Sequence, residues 1–178
     1  MDVNWDALSA IGTVGAVVVS LGLARGQGRK DRKAERSRGR WIALELRQIL
    51  AAWRVRVVRA KSASGPDLYF LLDDNEYRDP TVVPKELLAL YDQLHHLGDD
   101  AAPIADAVWM ARQLALVPVR DALRGDIFPQ EEADEIENEF REKLEGLRKY
   151  LRMSEINMSS ITGLAGPDRE RHVFGDPI

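Results

Sequence analysis

The sequence predicts an all-α protein in which a single N-terminal transmembrane helix is followed by a cytoplasmic bundle of three or four helices and a disordered C-terminal tail. Three observations lead to this fold class. An uncharged apolar stretch, Ala7 to Ala24, is followed directly by a dense run of Lys and Arg. Apolar residues then recur at steps of three and four, which is the period of an amphipathic helix. No segment alternates apolar and polar residues convincingly enough to indicate a sheet.

The uncharged stretch has the length of a membrane span. Its eighteen residues, Ala7 to Ala24, form about 27 Å of helix, against about 30 Å of bilayer hydrocarbon. A secretory signal peptide would need basic residues before the stretch, but Asp2 and Asp6 stand there instead. A buried helix of a soluble domain and an interfacial amphipathic helix are both disfavoured, because the stretch has neither a solvent-facing nor a charged side. We therefore expect a transmembrane helix at residues 7–24.

The charges after the stretch predict its orientation. Residues 25–40 form a basic juxtamembrane linker with eight Lys or Arg and two acidic residues. Because Lys and Arg are retained in the cytoplasm, residues 1–6 should face outward from a bacterial-type inner (cytoplasmic) membrane, and everything after the span should be cytoplasmic. The linker should also contact anionic lipid headgroups. The side chains expected to make this contact are Arg25, Arg29, Lys30, Arg32, Lys33 and Arg36.

The basic linker has a rival interpretation as a nucleic-acid-binding segment. No aromatic side chain is interleaved with its charges, although stacking on bases requires one. The chain as a whole carries a net charge of −4, so the part outside the linker is acidic and would repel a polyanion. Membrane lipid is therefore the expected partner, and nucleic acid is the less favoured one.

Small residues recur every four positions within the predicted span. Gly12, Ala16, Ser20 and Ala24 share one helix face, which permits the close approach of a second helix. We expect a homodimer that associates through Gly12, Ala16 and Ser20.

Residues 41–152 are expected to form the helical domain. From Trp41 to Lys61 the apolar residues step by three or four and so share one helix face. The turn residues of Ser62–Asp67 should end this helix. The short apolar run Leu68–Leu72 could be one or two helical turns, or an isolated strand.

Prolines and glycines predict the boundaries of the middle helices. One helix should begin near Pro84 and end at Gly98. Asp99 or Asp100 should cap the next helix, and Pro118 should kink that helix or end its first part.

The last helix has the most regular pattern of the domain. It should begin at Pro129, with acidic residues in its first turns and basic residues near its end, as the helix dipole favours. After Arg152 the periodicity is lost, and residues 153–178 are expected to be a disordered tail. The predicted core face of this helix comprises Ala133, Ile136, Phe140, Leu144, Leu147 and Leu151.

Three tryptophans of the domain lie within apolar patterns. Trp41, Trp53 and Trp109 are therefore expected to be core residues.

The adjacent pair His95 and His96 is the only grouping with plausible metal or acid–base chemistry. Two metal ligands on one helix usually stand three or four positions apart, so adjacent residues have the wrong spacing to share an ion. The chain contains no cysteine, which excludes disulfides and thiolate chemistry. We expect no cofactor, no metal and no catalytic site, with two helix-end histidines as the simplest interpretation.

Taken together, these patterns predict a single-span membrane protein that presents a cytoplasmic helical interaction or scaffold domain to an unknown cytoplasmic protein partner. Three further hypotheses are compatible with the sequence. The chain could be a membrane-perturbing effector that oligomerises through its anchor, or a membrane-tethered nucleic-acid-binding protein. It could also be an enzyme that uses His95 or His96 with distant carboxylates around a cavity.

Overall fold

The computed structural model describes residues 5–72, 78–125 and 127–164, and before residue 30 it describes the side chain of Gln27 alone. Every regular element among these residues is helical, which confirms the predicted all-α class. A 3-10 segment, Tyr91–Ala101, connects the third and fourth helices. The helices are α1 (Trp5–Ser62), α2 (Gly65–Leu71), α3 (Lys85–Leu90), α4 (Ala102–Leu114), α5 (Val119–Arg124) and α6 (Gln130–Thr162).

The chain divides into two compact units, residues 1–38 and 39–178. In the first unit, the backbone is helical from Trp5 onward. Among the described residues, no helix is both long enough and apolar enough to cross a bilayer. The predicted span, Ala7–Ala24, has a helical backbone, but its side chains lie outside the described residues. The span therefore stays a prediction.

The second unit is a helical bundle with one continuous apolar core. The part of α1 that belongs to this unit contributes residues spaced by three or four, among them Leu46, Leu50, Trp53 and Val57, all fully buried. This spacing turns one stripe of the helix inward. Helices α4 and α5 pack against α6. The fully buried apolar residues of α6 are Phe140, Leu144, Leu147, Leu151 and Met158.

Helix α6 runs alongside the second half of α1 in the opposite direction. Near one end of the contact, Arg40 Nη2 donates to the carbonyl oxygen of Thr162 at 3.0 Å. Near the other end, Lys61 donates to the carboxylate of Glu145, so chain numbers fall along α6 as they rise along α1. Arg141 strengthens the same end by donating to the carbonyl oxygens of Lys61 and Ala63.

The helix starts predicted near Pro84 and at Pro129 are confirmed, whereas the helix predicted to end at Gly98 is α-helical only to Leu90 and continues as the 3-10 segment. Pro84, Pro118 and Pro129 stand immediately before α3, α5 and α6, where a missing N–H costs nothing. Gly98 has a φ of +59° and breaks the helical path inside the 3-10 segment, and Gly125 ends α5 in the left-handed conformation.

The predicted capping by Asp99 or Asp100 is wrong. The residue before α4 is Ala101, and no side chain makes a capping hydrogen bond there. Pro103 stands in the first turn of α4 and has no N–H to satisfy, so one of the donors that a cap would serve is absent.

Two of the three tryptophan predictions are also wrong. Trp53 is fully buried, whereas Trp41 and Trp109 are 71% and 58% exposed. Both exposed residues fall on helix sides that face away from the core. The predictions failed because an apolar residue in a helical pattern does not by itself specify which side of the helix it occupies.

The open question about Leu68–Leu72 is resolved in favour of helix, since α2 extends through Leu71.

The tail predicted to be disordered from Met153 is helical as far as Thr162. Its Ser, Asn and Thr residues have low helix propensity, which hid the helix from the sequence pattern. Burial outweighs that propensity, because Ser154, Met158 and Thr162 lie in the interior. Gly163 then ends α6 in the left-handed conformation. Residues 165–178 lie outside the described residues.

Candidate interaction surfaces

From Lys30 to Arg38 the basic linker is exposed on every side of its helix. All residues from Lys30 to Arg38 are solvent-accessible. Four of the six side chains predicted to contact lipid headgroups belong to this part, and the side chains of Arg25 and Arg29 lie outside the described residues. The exposed four are Lys30, Arg32, Lys33 and Arg36.

The predicted self-association face cannot be placed beyond its backbone. Gly12, Ala16 and Ser20 belong to α1, so the four-residue spacing does fall on a helix. Their side chains lie outside the described residues, and the predicted homodimer therefore remains a proposal.

The two histidines stack on one another in the 3-10 segment. Their ring centroids are 3.9 Å apart with a tilt of 43°. His95 is exposed, and its Nδ1 lies 2.7 Å from the carbonyl oxygen of Asp92. No group of three or more His, Asp or Glu side chains is arranged to hold a metal ion within the described ranges. The hydrogen-bond contact of His95 is thus local to its own segment.

A groove of about 420 Å³ lies between α1 and the beginning of α3. This volume falls in the range of small-molecule and side-chain binding sites, about 300 to 1,000 Å³. Pro84 is buried and Ile49 half-buried, so these residues supply apolar surface at depth. The complete lining comprises Gln48, Ile49, Ala52, Arg56, Pro84, Lys85 and Glu86.

Two hydrogen bonds from α1 hold the chain that leads into this groove. Trp53 Nε1 donates to the carbonyl oxygen of Pro80 at 2.9 Å, inside the core. Arg56 Nη1 donates to the carbonyl oxygen of Asp79 at 3.2 Å. Asp79 in turn accepts from both the N–H and the hydroxyl of Thr81 at 2.7 Å. The wall formed by Pro84 is therefore fixed relative to α1.

The lining combines apolar surface with both signs of charge. Arg56 and Lys85 supply cations and Glu86 a carboxylate, and none of the lining residues is a serine, threonine, histidine or tyrosine. Sequence patterns missed this groove because its walls come from segments that are distant in the chain. The signals available were the polar Gln48 and Arg56 beside the predicted core stripe of α1.

A buried ion pair joins α1 to α6. Arg54 Nε lies 2.6 Å from Oε1 of Glu155, and the Glu155 side chain is only 4% exposed. Sequence reasoning missed this pair because Glu155 lies beyond the predicted end of the last helix.

Glu145 accepts hydrogen bonds from two cations on different helices. Arg148 on α6 and Lys61 on α1 both donate to it, and these bonds lower the pKa of Glu145 from 4.5 to about 2, the Arg148 bond contributing most. An open groove of about 330 Å³ adjoins the cluster, lined by Val58, Lys61, Ser62 and Arg148.

Comparison with known proteins gives no assignment. No protein-family model, curated protein or solved structure matches the chain significantly. A functional proposal therefore has to rest on the chain's own residues.

Proposed function

We propose that this chain is a single-span membrane protein whose helical bundle is an interaction or scaffold module held at the cytoplasmic surface. One observation carries the anchor: eighteen uncharged residues, Ala7 to Ala24, stand directly before a basic linker whose described side chains are all exposed. An anionic leaflet attracts each Lys or Arg near its surface by about 1 kcal/mol. Residues 30 to 38 are all exposed, so no acidic surface of the described chain covers their positive charge. Contact with lipid would account for this concentration of charge.

The interaction role of the bundle is supported by its surface. The groove beside Pro84 combines apolar depth with four polar or charged residues, and its walls are held in place by core hydrogen bonds. Trp41 and Trp109 are large, exposed aromatics on the same unit, and such residues are enriched where proteins bind one another. These features support recognition of a partner.

Alkaline extraction tests the anchor. Membranes from bacteria that express the full chain are washed at high pH, and the chain should stay in the pellet. Val18→Asp places a charge near the middle of the span at a cost of about 2.5 to 3.5 kcal/mol, and this variant should move largely to the soluble fraction. Val55→Asp is the matched control, since Val55 is 60% exposed in the bundle and its substitution should leave the chain in the pellet. Release of the unmodified chain by the wash would overturn the anchor.

Cross-linking in membranes tests the proposed homodimer. Gly12→Leu and Ala16→Leu place bulk on the small-residue face and should abolish the cross-linked dimer. Val14→Leu, on another side of the helix, should preserve it. A dimer that persists in both face variants, or a wild-type chain that forms none, would exclude association through this face.

A further inference from the structure

The arginines at the start of the basic linker fall on one side of α1. Successive residues of an α-helix are rotated by about 100°, so Arg25, Arg29, Arg32 and Arg36 lie within about 60° of one another. They extend over about 16 Å of helix axis. We call this set the arginine face.

The acidic residues of the linker lie away from the arginine face. By the same rotation, Glu35 is about 90° and Asp31 about 130° from its middle. Two further cations, Lys30 and Arg38, are also turned away, at about 130° and 150°. The helix is therefore basic all around, but one side aligns four arginines, with Lys33 at its border, about 70° from the middle.

Arginine suits phosphate oxygens because its planar guanidinium donates two parallel hydrogen bonds to them, whereas lysine acts as a point charge. Arg32 and Arg36 are exposed, and a row of this kind matches the closely spaced phosphates of a lipid surface. On the basis of the membrane anchor proposed above, we propose that the arginine face lies on the cytoplasmic leaflet and binds the phosphates of anionic lipid headgroups.

Two glycines stand where this arrangement requires the helix to turn. The arginine face can lie along the leaflet only if the axis bends between Ala24 and Arg29, and Gly26 and Gly28 are in that interval. Glycine is the least favourable helix residue after proline, so bending costs least there. Because α1 is continuous through these residues in the structure, the proposal requires that the helix bend here at the membrane surface.

Lipid is favoured over nucleic acid as the source of the phosphates. The chain has a net charge of −4 despite its basic linker, so its remainder repels a long polyanion. Because the anchor already holds the chain in the leaflet, the arginine face does not have to find the lipid by diffusion. The effective concentration of headgroup phosphates at the arginine face is therefore high.

A pair of charge-matched variants isolates the face from the net charge. Arg32→Gln/Arg36→Gln removes two charges from the arginine face, and Lys30→Gln/Arg38→Gln removes two from the opposite sides; all four residues are exposed. The chain has no native cysteine, so a dye on Ser37→Cys reports at a single site. The full chain is reconstituted into vesicles that carry a headgroup-linked quencher, with or without phosphatidylglycerol, and quenching measures the ratio of surface-bound to free linker.

The two variants should differ by about an order of magnitude. Loss of two contacts at the surface should lower the bound-to-free ratio in anionic vesicles about 30-fold. Charges on the far side of a helix about 10 Å wide are more than a screening length away, so the control should lose only about 3-fold. An equal fall of the bound-to-free ratio in the two variants would overturn the proposal that the arginine face binds the leaflet. Release of the linker from anionic vesicles by duplex DNA at equal phosphate concentration would overturn lipid as the preferred ligand.

Failure of the anchor gives a different result from failure of the face. Each reconstituted variant is also washed at high pH, and a chain that leaves the vesicles contradicts the proposed function. A chain that stays in the vesicles but shows equal quenching in both variants contradicts the arginine face alone.

Discussion

Arg54 and Glu155 form an ion pair across the contact between α1 and α6, with Nε and Oε1 2.6 Å apart. The carboxylate is almost completely buried, while the guanidinium retains partial contact with solvent. A buried ion pair stabilises a fold little more than apolar residues of similar size would in its place. Removal of one member alone is costly, because the other charge then loses its partner. Arg54 and Glu155 should therefore depend on each other.

Glu155→Gln should lower the free energy of unfolding by about 3 kcal/mol, because Arg54 then keeps its charge without a carboxylate. Arg54→Met/Glu155→Leu should recover much of this loss by removing both charges. Glu139→Gln is the control, since its pair with Lys143 is exposed and contributes at most about 0.5 kcal/mol. Urea unfolding of the full chain in one detergent measures all three. Equal losses in the two single variants would mean that the Arg54–Glu155 pair is not buried.

Gly39→Ala and Gly146→Ala should change stability in opposite directions. Both glycines lie inside helices, where alanine gains up to about 1 kcal/mol of helix propensity. A Cβ on Gly39 would lie 3.0 Å from the carbonyl oxygen of His96, which is backbone and cannot move aside alone. A Cβ on Gly146 would meet only the flexible side chain of Met110, whose Cε would lie 3.2 Å away.

We expect Gly39→Ala to destabilise the protein by about 1 to 2 kcal/mol, since the overpacking outweighs the propensity gain. Gly146→Ala should be neutral or stabilising by a few tenths of a kcal/mol. Thermal unfolding of the two variants decides between these outcomes. If Gly39→Ala were as stable as Gly146→Ala, the 3-10 segment would not approach α1 as closely as described.

Stability should fall with acid partly through Glu145. Its pKa is lowered to about 2 in the folded protein, chiefly by the hydrogen bond from Arg148. Because the folded pKa lies below the unfolded value, this contribution is present above about pH 5 and is lost as the pH falls toward 2. Glu145→Gln should therefore lose less stability than the wild type between pH 5 and pH 3, measured by urea unfolding.

The effect should also shrink in high salt, since the carboxylate is partly exposed and its cations are screened. Parallel stability curves for wild type and Glu145→Gln across this pH range would show that the Glu145 cluster contributes nothing.

Met158 and Met153 test the length of α6. Met158 is fully buried, although it lies past the point where the sequence pattern ends, and Met153 is 44% exposed. Met158→Ala should cost about 2 to 4 kcal/mol through lost burial and a cavity. Met153→Ala should cost less than about 0.5 kcal/mol. Similar small effects in both variants would mean that the end of α6 is not packed.

The sequence predicted those features of the fold that depend on local chemistry. Pro84 and Pro129 start helices because proline is compatible with a first turn but not with the interior, and that preference is visible in the residue itself. The extension of α6 past Arg152 was missed because it depends on tertiary burial of Met158, which overrides weak propensity. The burial of Trp53 was predicted correctly, whereas the exposure of Trp41 was missed because an apolar residue near a helical stripe does not by itself specify its face.

The candidate surfaces also divide into those that the local sequence predicts and those that depend on tertiary packing. The basic linker was predictable because charge is a property of the sequence. The groove was not, because Ile49 and Pro84 are distant in the chain and come together through tertiary contacts such as the hydrogen bond from Trp53 to the carbonyl oxygen of Pro80. The ion pair of Arg54 and Glu155 likewise needs the register between α1 and α6.

The most direct test of the central claim, a single membrane span with a cytoplasmic bundle, is thiol labelling from the two sides of the membrane. The native chain has no cysteine, so Asn4→Cys and Ser160→Cys each provide one reporter, and Ser160 is exposed on α6. In spheroplasts, a membrane-impermeant maleimide should label Asn4→Cys at once and Ser160→Cys only after permeabilisation. Labelling of both positions, or of neither, before permeabilisation would contradict the span and the orientation that we propose.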